Sequence, residues 1–147
     1  MNHKPRVLFF STGDTTRSQM AEGFLRKFAG AELTVVSTAV QSTASDPLTH
    51  DLMQEVGVDI SNQQPKDVAE SLKEHFSYVI TVCDASKERF PVWPFTRNIF
   101  QWSLVDPELV QGSYEQKRQV FRGVRDEING KVREFLSYIR PQLHAGS

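Results

Sequence analysis

Residues 6–30, RVLFFSTGDTTRSQMAEGFLRKFAG, constrain the fold more than any other stretch of the chain. Val7-Leu8-Phe9-Phe10 is an unbroken apolar run, which suits a strand covered on both faces. From Ser18 onward, Met20, Phe24, Leu25 and Phe28 recur at helical spacing. Between strand and helix lies a loop of small polar residues, Ser11-Thr12-Gly13-Asp14-Thr15-Thr16-Arg17. Such a loop turns its backbone N–H groups into one concavity at the positive end of the helix dipole, which is an anion site. Arg17 adds a planar fork of donors matched to the oxygens of phosphate or arsenate. The simpler alternative is a plain strand-to-helix turn with Ser18 as N-cap and Arg17 in solvent. It is disfavoured because strand, loop, Gly13, Arg17 and helix all fall where a phosphate cradle needs them. A Walker-type loop is excluded, since no Gly-Lys-Ser/Thr follows.

The motif resembles the phosphate-binding loop of the low-molecular-weight protein tyrosine phosphatases, above all their thioredoxin-linked arsenate reductase branch. Loops of that branch read Cys-Thr-Gly-Asn-Ser-Cys-Arg-Ser-Gln-Met-Ala-Glu-Gly. Here the same frame reads Ser11-Thr12-Gly13-Asp14-Thr15-Thr16-Arg17-Ser18-Gln19-Met20-Ala21-Glu22-Gly23. The resemblance implies an anion site built from Ser11, Thr12, Gly13, Asp14, Thr15, Thr16, Arg17 and Ser18. Covering nearly the whole chain, it further implies a four-stranded parallel sheet in the order 2-1-3-4.

Position 11 in that family is a thiolate nucleophile. A thiol, titrating near about 8.5, is brought within reach of neutral pH by an arginine and a helix N-terminus. A serine hydroxyl needs a neighbouring general base, and none of His3, His50, His75 or His144 lies in the loop. Three accounts of Ser11 compete: an engineered trapping substitution, a serine-using enzyme, and a loss of thiol chemistry that leaves the oxyanion shell. Changes at Asp14, Thr15 and Thr16 weigh against the first, and the missing base against the second. The third is favoured, with turnover through Ser11 or Cys83, as arsenate reductase or phosphatase, as its rival.

The resemblance assigns further positions. Reductases of this branch relay three cysteines. Of these the chain keeps one, Cys83 in Thr81-Val82-Cys83-Asp84, while the others align with Ser11 and with Phe90 before Pro91. Thiol–disulfide exchange needs an attacking and a resolving thiol, so thioredoxin is not expected as a partner. Cys83 reads more simply as a small apolar residue at a strand end. Asp106-Pro107 stands where the family carries its general acid, and Trp93 where phosphatases place a cleft aromatic. Asp14 replaces an asparagine and opposes a dianion by about 1 kcal/mol or more. Some arsenate reductases hold potassium through residues matching Asp14, Glu22, Ser37 and Lys66. A lysine would supply that cation itself, so Lys66 is expected to pair with Asp14 or Glu22.

Composition sets the outer bounds. A chain of 147 residues with net charge −1 makes one domain, residues 1–147, and is not steered to nucleic acid or an acidic membrane. No apolar run spans a membrane and residues 1–5 lack a signal-peptide core, which points to the cytoplasm. The single cysteine rules out an internal disulfide or a Cys-based metal cluster. No cofactor or metal is expected. Phosphate, sulfate or an arsenate-like anion is the expected ligand, with a phosphorylated protein as the macromolecular form.

Beyond the first helix, strands are read at Leu33–Thr38, Tyr78–Asp84 and Arg97–Trp102, and the Ala39–Ser45 stretch reads as a loop. Helices are read from Asp46-Pro47 to Gly57, from Asp67 to Phe76, and from a Ser113-x-x-Gln116 capping box to Pro141, with a frayed tail over 140–147. Alternating strands and helices define an α/β, doubly wound parallel sheet, with the first loop at the carboxyl ends of its strands.

Overall fold

The computed structural model describes residues 4–12, 15–39, 46–89 and 98–145. The expectations for Gly13, Asp14, the loop after residue 39, Phe90, Pro91 and Trp93 lie outside the described residues. Four parallel strands, β1 (Arg6–Ser11), β2 (Thr34–Ala39), β3 (Tyr78–Cys83) and β4 (Ile99–Ser103), form one sheet in the order β2-β1-β3-β4. Helices α1 (Thr16–Ala29), α2 (Pro47–Gln54), α3 (Val68–Ser71) and α4 (Tyr114–Ala145) connect and cover it.

The apolar run of β1 divides between two cores. Val7 and Phe9 point into the large cluster shared with Met20, Phe24 and Leu25 of α1, Leu52 of α2 and Ile128 and Val132 of α4. Leu8 and Phe10 point the other way, onto Val36, Phe76 and Val79. A central strand covered on both faces has no polar side to alternate with, which is why its sequence reads as continuous apolar residues.

Helix α1 starts at Thr16 and not at Ser18, so Arg17 is itself a first-turn residue. Along its length Gly23 lets α1 approach the 58–60 segment closely: a Cβ there would stand 2.8 Å from Ile60 Cγ2 and 3.0 Å from Val58 Cγ1. Asp46 caps α2, its side chain accepting from Leu48 N at 2.9 Å, ahead of Pro47 at N1. The capping box of α4 forms reciprocally, Ser113 N donating to Gln116 Oε1 at 2.8 Å and Gln116 N to Ser113 Oγ at 3.1 Å.

Other helix boundaries also differ from expectation, α2 ending at Gln54 ahead of Gly57. Helix α3 stops after Ser71 rather than running to Phe76. Lys73 N and Glu74 N bond three residues back instead of four, and Ser77 N already donates to Arg6 O at 2.9 Å, so the chain is turning into β3. At the other end, Pro141 does not close α4, which continues through the expected frayed tail to Ala145. The carbonyl that loses its partner belongs to exposed Ser137, where water can serve it. Tertiary contacts hold the last turn: Tyr78 Oη donates to Gln142 Oε1 at 3.1 Å, and Leu143 packs against the large core. Among the described residues no helix is long and apolar enough to cross a membrane.

Candidate functional site

Ser11 ends β1 at the carboxyl edge of the sheet, in register with Ala39 of β2 and Val82 of β3. Its hydroxyl is fully buried and has no hydrogen-bond partner among the described residues. Thr12 is turned to β3, its N–H donating to Val82 O at 3.1 Å, which removes that amide from the expected set of anion donors. Gln19 N makes the first intrahelical bond of α1, to Thr15 O at 2.8 Å. The amides of Arg17 and Ser18 therefore belong to the first turn, where the helix offers them no carbonyl four residues back. The Ser18 hydroxyl donates to Thr15 O at 3.1 Å, bracing the loop from beneath.

Arg17 is wholly buried and held by the segment that follows β4. Nη1 donates to Leu104 O at 3.0 Å, and Nη2 lies 3.5 Å from Asp106 Oδ2. Nε has no partner. Leu104 N in turn donates to Cys83 O at 3.0 Å, so the ends of β3 and β4 and the start of α1 meet around this one guanidinium. Two buried polar atoms left unpaired at one edge, Ser11 Oγ and Arg17 Nε, are what a site for a hydrogen-bonding ligand leaves behind, since orphaned groups of this kind are rare in a closed core.

Asp106 caps the short 3-10 turn Pro107–Leu109, Oδ1 accepting from Glu108 N at 3.0 Å. The turn reaches back to the loop a second time. Thr16 Oγ1 donates to Glu108 Oε1 at 2.6 Å and stands 3.2 Å from Thr49 Oγ1 of α2. Sequence reasoning missed Leu104, Thr49 and Glu108, because nothing local distinguishes a half-exposed glutamate after an Asp-Pro pair from any other surface carboxylate.

Cys83 is buried at the end of β3. Burial, more than the nearby Glu88, pushes its thiol up despite the opposing field of Arg17, so it is a poor thiolate source. The structure brings Ser11, Thr12, Thr15, Thr16, Arg17, Ser18, Cys83 and Asp106 to one edge of the sheet.

The expected pairing of Lys66 with Glu22 does not occur. Lys66 Nζ bonds both carboxylate oxygens of Glu74 at 3.1 Å, while Glu22 accepts from Ser37 Oγ at 2.6 Å and pairs with Arg26 Nη2 at 2.7 Å. Arg26 is one helical turn along α1 and needs no long-range reach, whereas the backbone of Lys66 is fixed on β2 through Lys66 N to Ser37 O at 2.8 Å. Burial raises the pKa of Glu22 even so. Both its oxygens are engaged, Oε1 by Ser37 and Oε2 by Arg26.

Residues 6–145 match the family described as low molecular weight phosphotyrosine protein phosphatase, and the chain belongs to that family. Within it, the chain is similar to arsenate reductases. It is 34% identical to that of Halalkalibacterium halodurans over 133 residues, 90% of this chain and 96% of the relative. Against the Bacillus subtilis arsenate reductase it is 34% identical over 129 residues, 88% and 93% of the two chains. A solved structure described as an arsenate reductase in the phosphate binding state superposes with a TM-score of 0.77 at 29% identity, covering 92% of this chain and 98% of that one.

Proposed function

We propose that this family member binds a tetrahedral oxyanion, phosphate, arsenate or a phosphorylated group, in the Ser11–Arg17 loop without the family's cysteine-based catalysis. The observation that carries the reading is the pair of buried, unpartnered polar atoms, Ser11 Oγ and Arg17 Nε, at the edge where the first turn of α1 begins. Together with the amides of Arg17 and Ser18 they form a donor set suited to four-oxygen anions. Gly13 and Asp14 complete the loop by sequence. Arg17 contributes its fixed charge, and Asp106 balances that charge in the absence of ligand.

Nucleophilic attack is a different demand. Among the described residues the hydroxyl of Ser11 has no base within hydrogen-bond reach, and the one thiol, Cys83, is held protonated by its burial. A lone thiol also has no resolving partner for exchange with a thioredoxin.

Turnover of p-nitrophenyl phosphate and thioredoxin-coupled arsenate reduction, measured on the wild type, Ser11→Ala and Ser11→Cys, test the reading. The expected result is no turnover by the wild type or Ser11→Ala, and phosphatase turnover in Ser11→Cys. Multiple turnovers by the wild type that disappear in Ser11→Ala would overturn it.

A further inference from the structure

The charge around the cradle is unusual for a site meant to hold an anion. Arg17 is the cation of the cradle itself. Facing it from the 3-10 turn are Asp106, on Arg17, and Glu108, on Thr16. From the end of β3 comes buried Asp84, two bonds of the Arg17–Leu104–Cys83 chain away. Its carboxylate is turned to Ser86 and feels Lys87 and Arg17, while the neighbouring Cys83 thiol is neutral. Helix α2 contributes the uncharged Thr49. Asp14 adds a fourth carboxylate to the loop by sequence.

We propose that Glu108 determines the charge state of the oxyanion this cradle accepts, selecting the singly charged, proton-bearing form of phosphate or arsenate over an oxyanion that is doubly charged throughout, such as sulfate. The proposal rests on the oxyanion-binding reading above. Glu108 Oε1 is taken by Thr16, the residue before Arg17 at the start of α1. Its second carboxylate oxygen has no hydrogen-bond partner among the described residues and is the acceptor a ligand O–H would meet. A monoanion keeps such a hydrogen, turning a carboxylate at the mouth into a hydrogen-bond partner. Sulfate has none, and hydrogen phosphate, which keeps one O–H, brings a second negative charge; both meet like charge at close range in a partly desolvated site.

Calorimetric titration of the wild type and Glu108→Gln with sodium phosphate and sodium sulfate, at matched ionic strength near about pH 5.5 and about pH 8, tests this, because phosphate loses its second proton across that interval. In the wild type, phosphate affinity should fall by about tenfold or more from the lower to the higher pH, and sulfate should bind about tenfold more weakly than phosphate at the lower pH. Glu108→Gln keeps an oxygen for Thr16 but carries no charge, and both gaps should shrink to roughly threefold or less. Equal affinity of the wild type for both anions at both pH values, which needs no variant to fold, overturns the selection while leaving oxyanion binding intact. Gaps undiminished in Glu108→Gln overturn the role of Glu108. Failure of the wild type to bind either anion at either pH overturns the underlying reading as well.

Discussion

Arg17 and Asp106 meet across 89 residues of sequence, Nη2 to Oδ2 at 3.5 Å, with the arginine side chain wholly buried. The separation is at the outer edge of a hydrogen bond, so the pair acts more through charge than through geometry. Asp106 is therefore the counter-charge that makes a buried guanidinium tolerable when no anion is bound.

Replacing it with asparagine should expose that role. Asp106→Asn retains the acceptor for Glu108 N and loses the charge, and should destabilise the anion-free protein by about 2–3 kcal/mol. Saturating phosphate should recover much of this, since the ligand then supplies the negative charge. Thermal denaturation with and without phosphate measures both values. A deficit identical in the two conditions would show that Asp106 does not balance Arg17.

Ser11→Ala separates structure from ligand binding. The buried hydroxyl of Ser11 has no partner among the described residues, so its removal should leave the anion-free protein unchanged or more stable by about 1 kcal/mol. The stabilisation gained from added phosphate should shrink in the same variant, because ligand stabilisation follows affinity. Parallel melting curves across a phosphate series decide the matter.

Glu55 governs an acid limb of stability remote from the cradle. Its carboxylate receives Arg122 Nη2 and Arg125 Nη1, each at 2.7 Å, and Arg118 Nη2 at 3.1 Å, tying the end of α2 to α4. The bond from Arg122, then that from Arg125, lowers its pKa from 4.5 to about 2. A depressed acid stabilises the fold above its unfolded value and loses that contribution as pH falls through the folded one. Glu55→Gln should thus lower Tm at neutral pH by about 2 °C. It should also flatten the decline of stability between the 4.5 and about 2 that bracket the shift, as acid titration followed by circular dichroism would show.

Gly23→Ala sets two effects of opposite sign against each other. Helix propensity favours alanine by about 1 kcal/mol. The added methyl would press on Ile60 and Val58, both buried and unable to withdraw, at 2.8 and 3.0 Å. Overpacking of this kind costs about 1–3 kcal/mol, so the net change should be a loss of about 1 kcal/mol in urea denaturation.

Elements and local chemistry were legible because they depend on near neighbours along the chain. The apolar run of β1, the spacing of Met20, Phe24 and Leu25, the Asp46-Pro47 start of α2 and the Ser113–Gln116 box each specify their element within a few residues. A four-stranded order of 2-1-3-4 followed from family resemblance and stands in the structure. Where expectation failed, the outcome lay with distant partners: α4 runs past Pro141 because Tyr78 and the core hold its last turn, and α3 ends early because the chain must meet Arg6.

By itself, then, the sequence determined the order of strands and helices along the chain, the loop between β1 and α1, and the presence of a serine at position 11. Those are matters of residue identity and short-range periodicity. Only the tertiary structure decided which charges meet: Lys66 with Glu74 rather than Glu22, Arg17 with Asp106, and Glu108 with Thr16 across 92 residues. Ionic partners of similar reach compete on nearly equal terms in sequence, and the choice among them is made by a few ångströms of backbone placement that packing of the cores fixes.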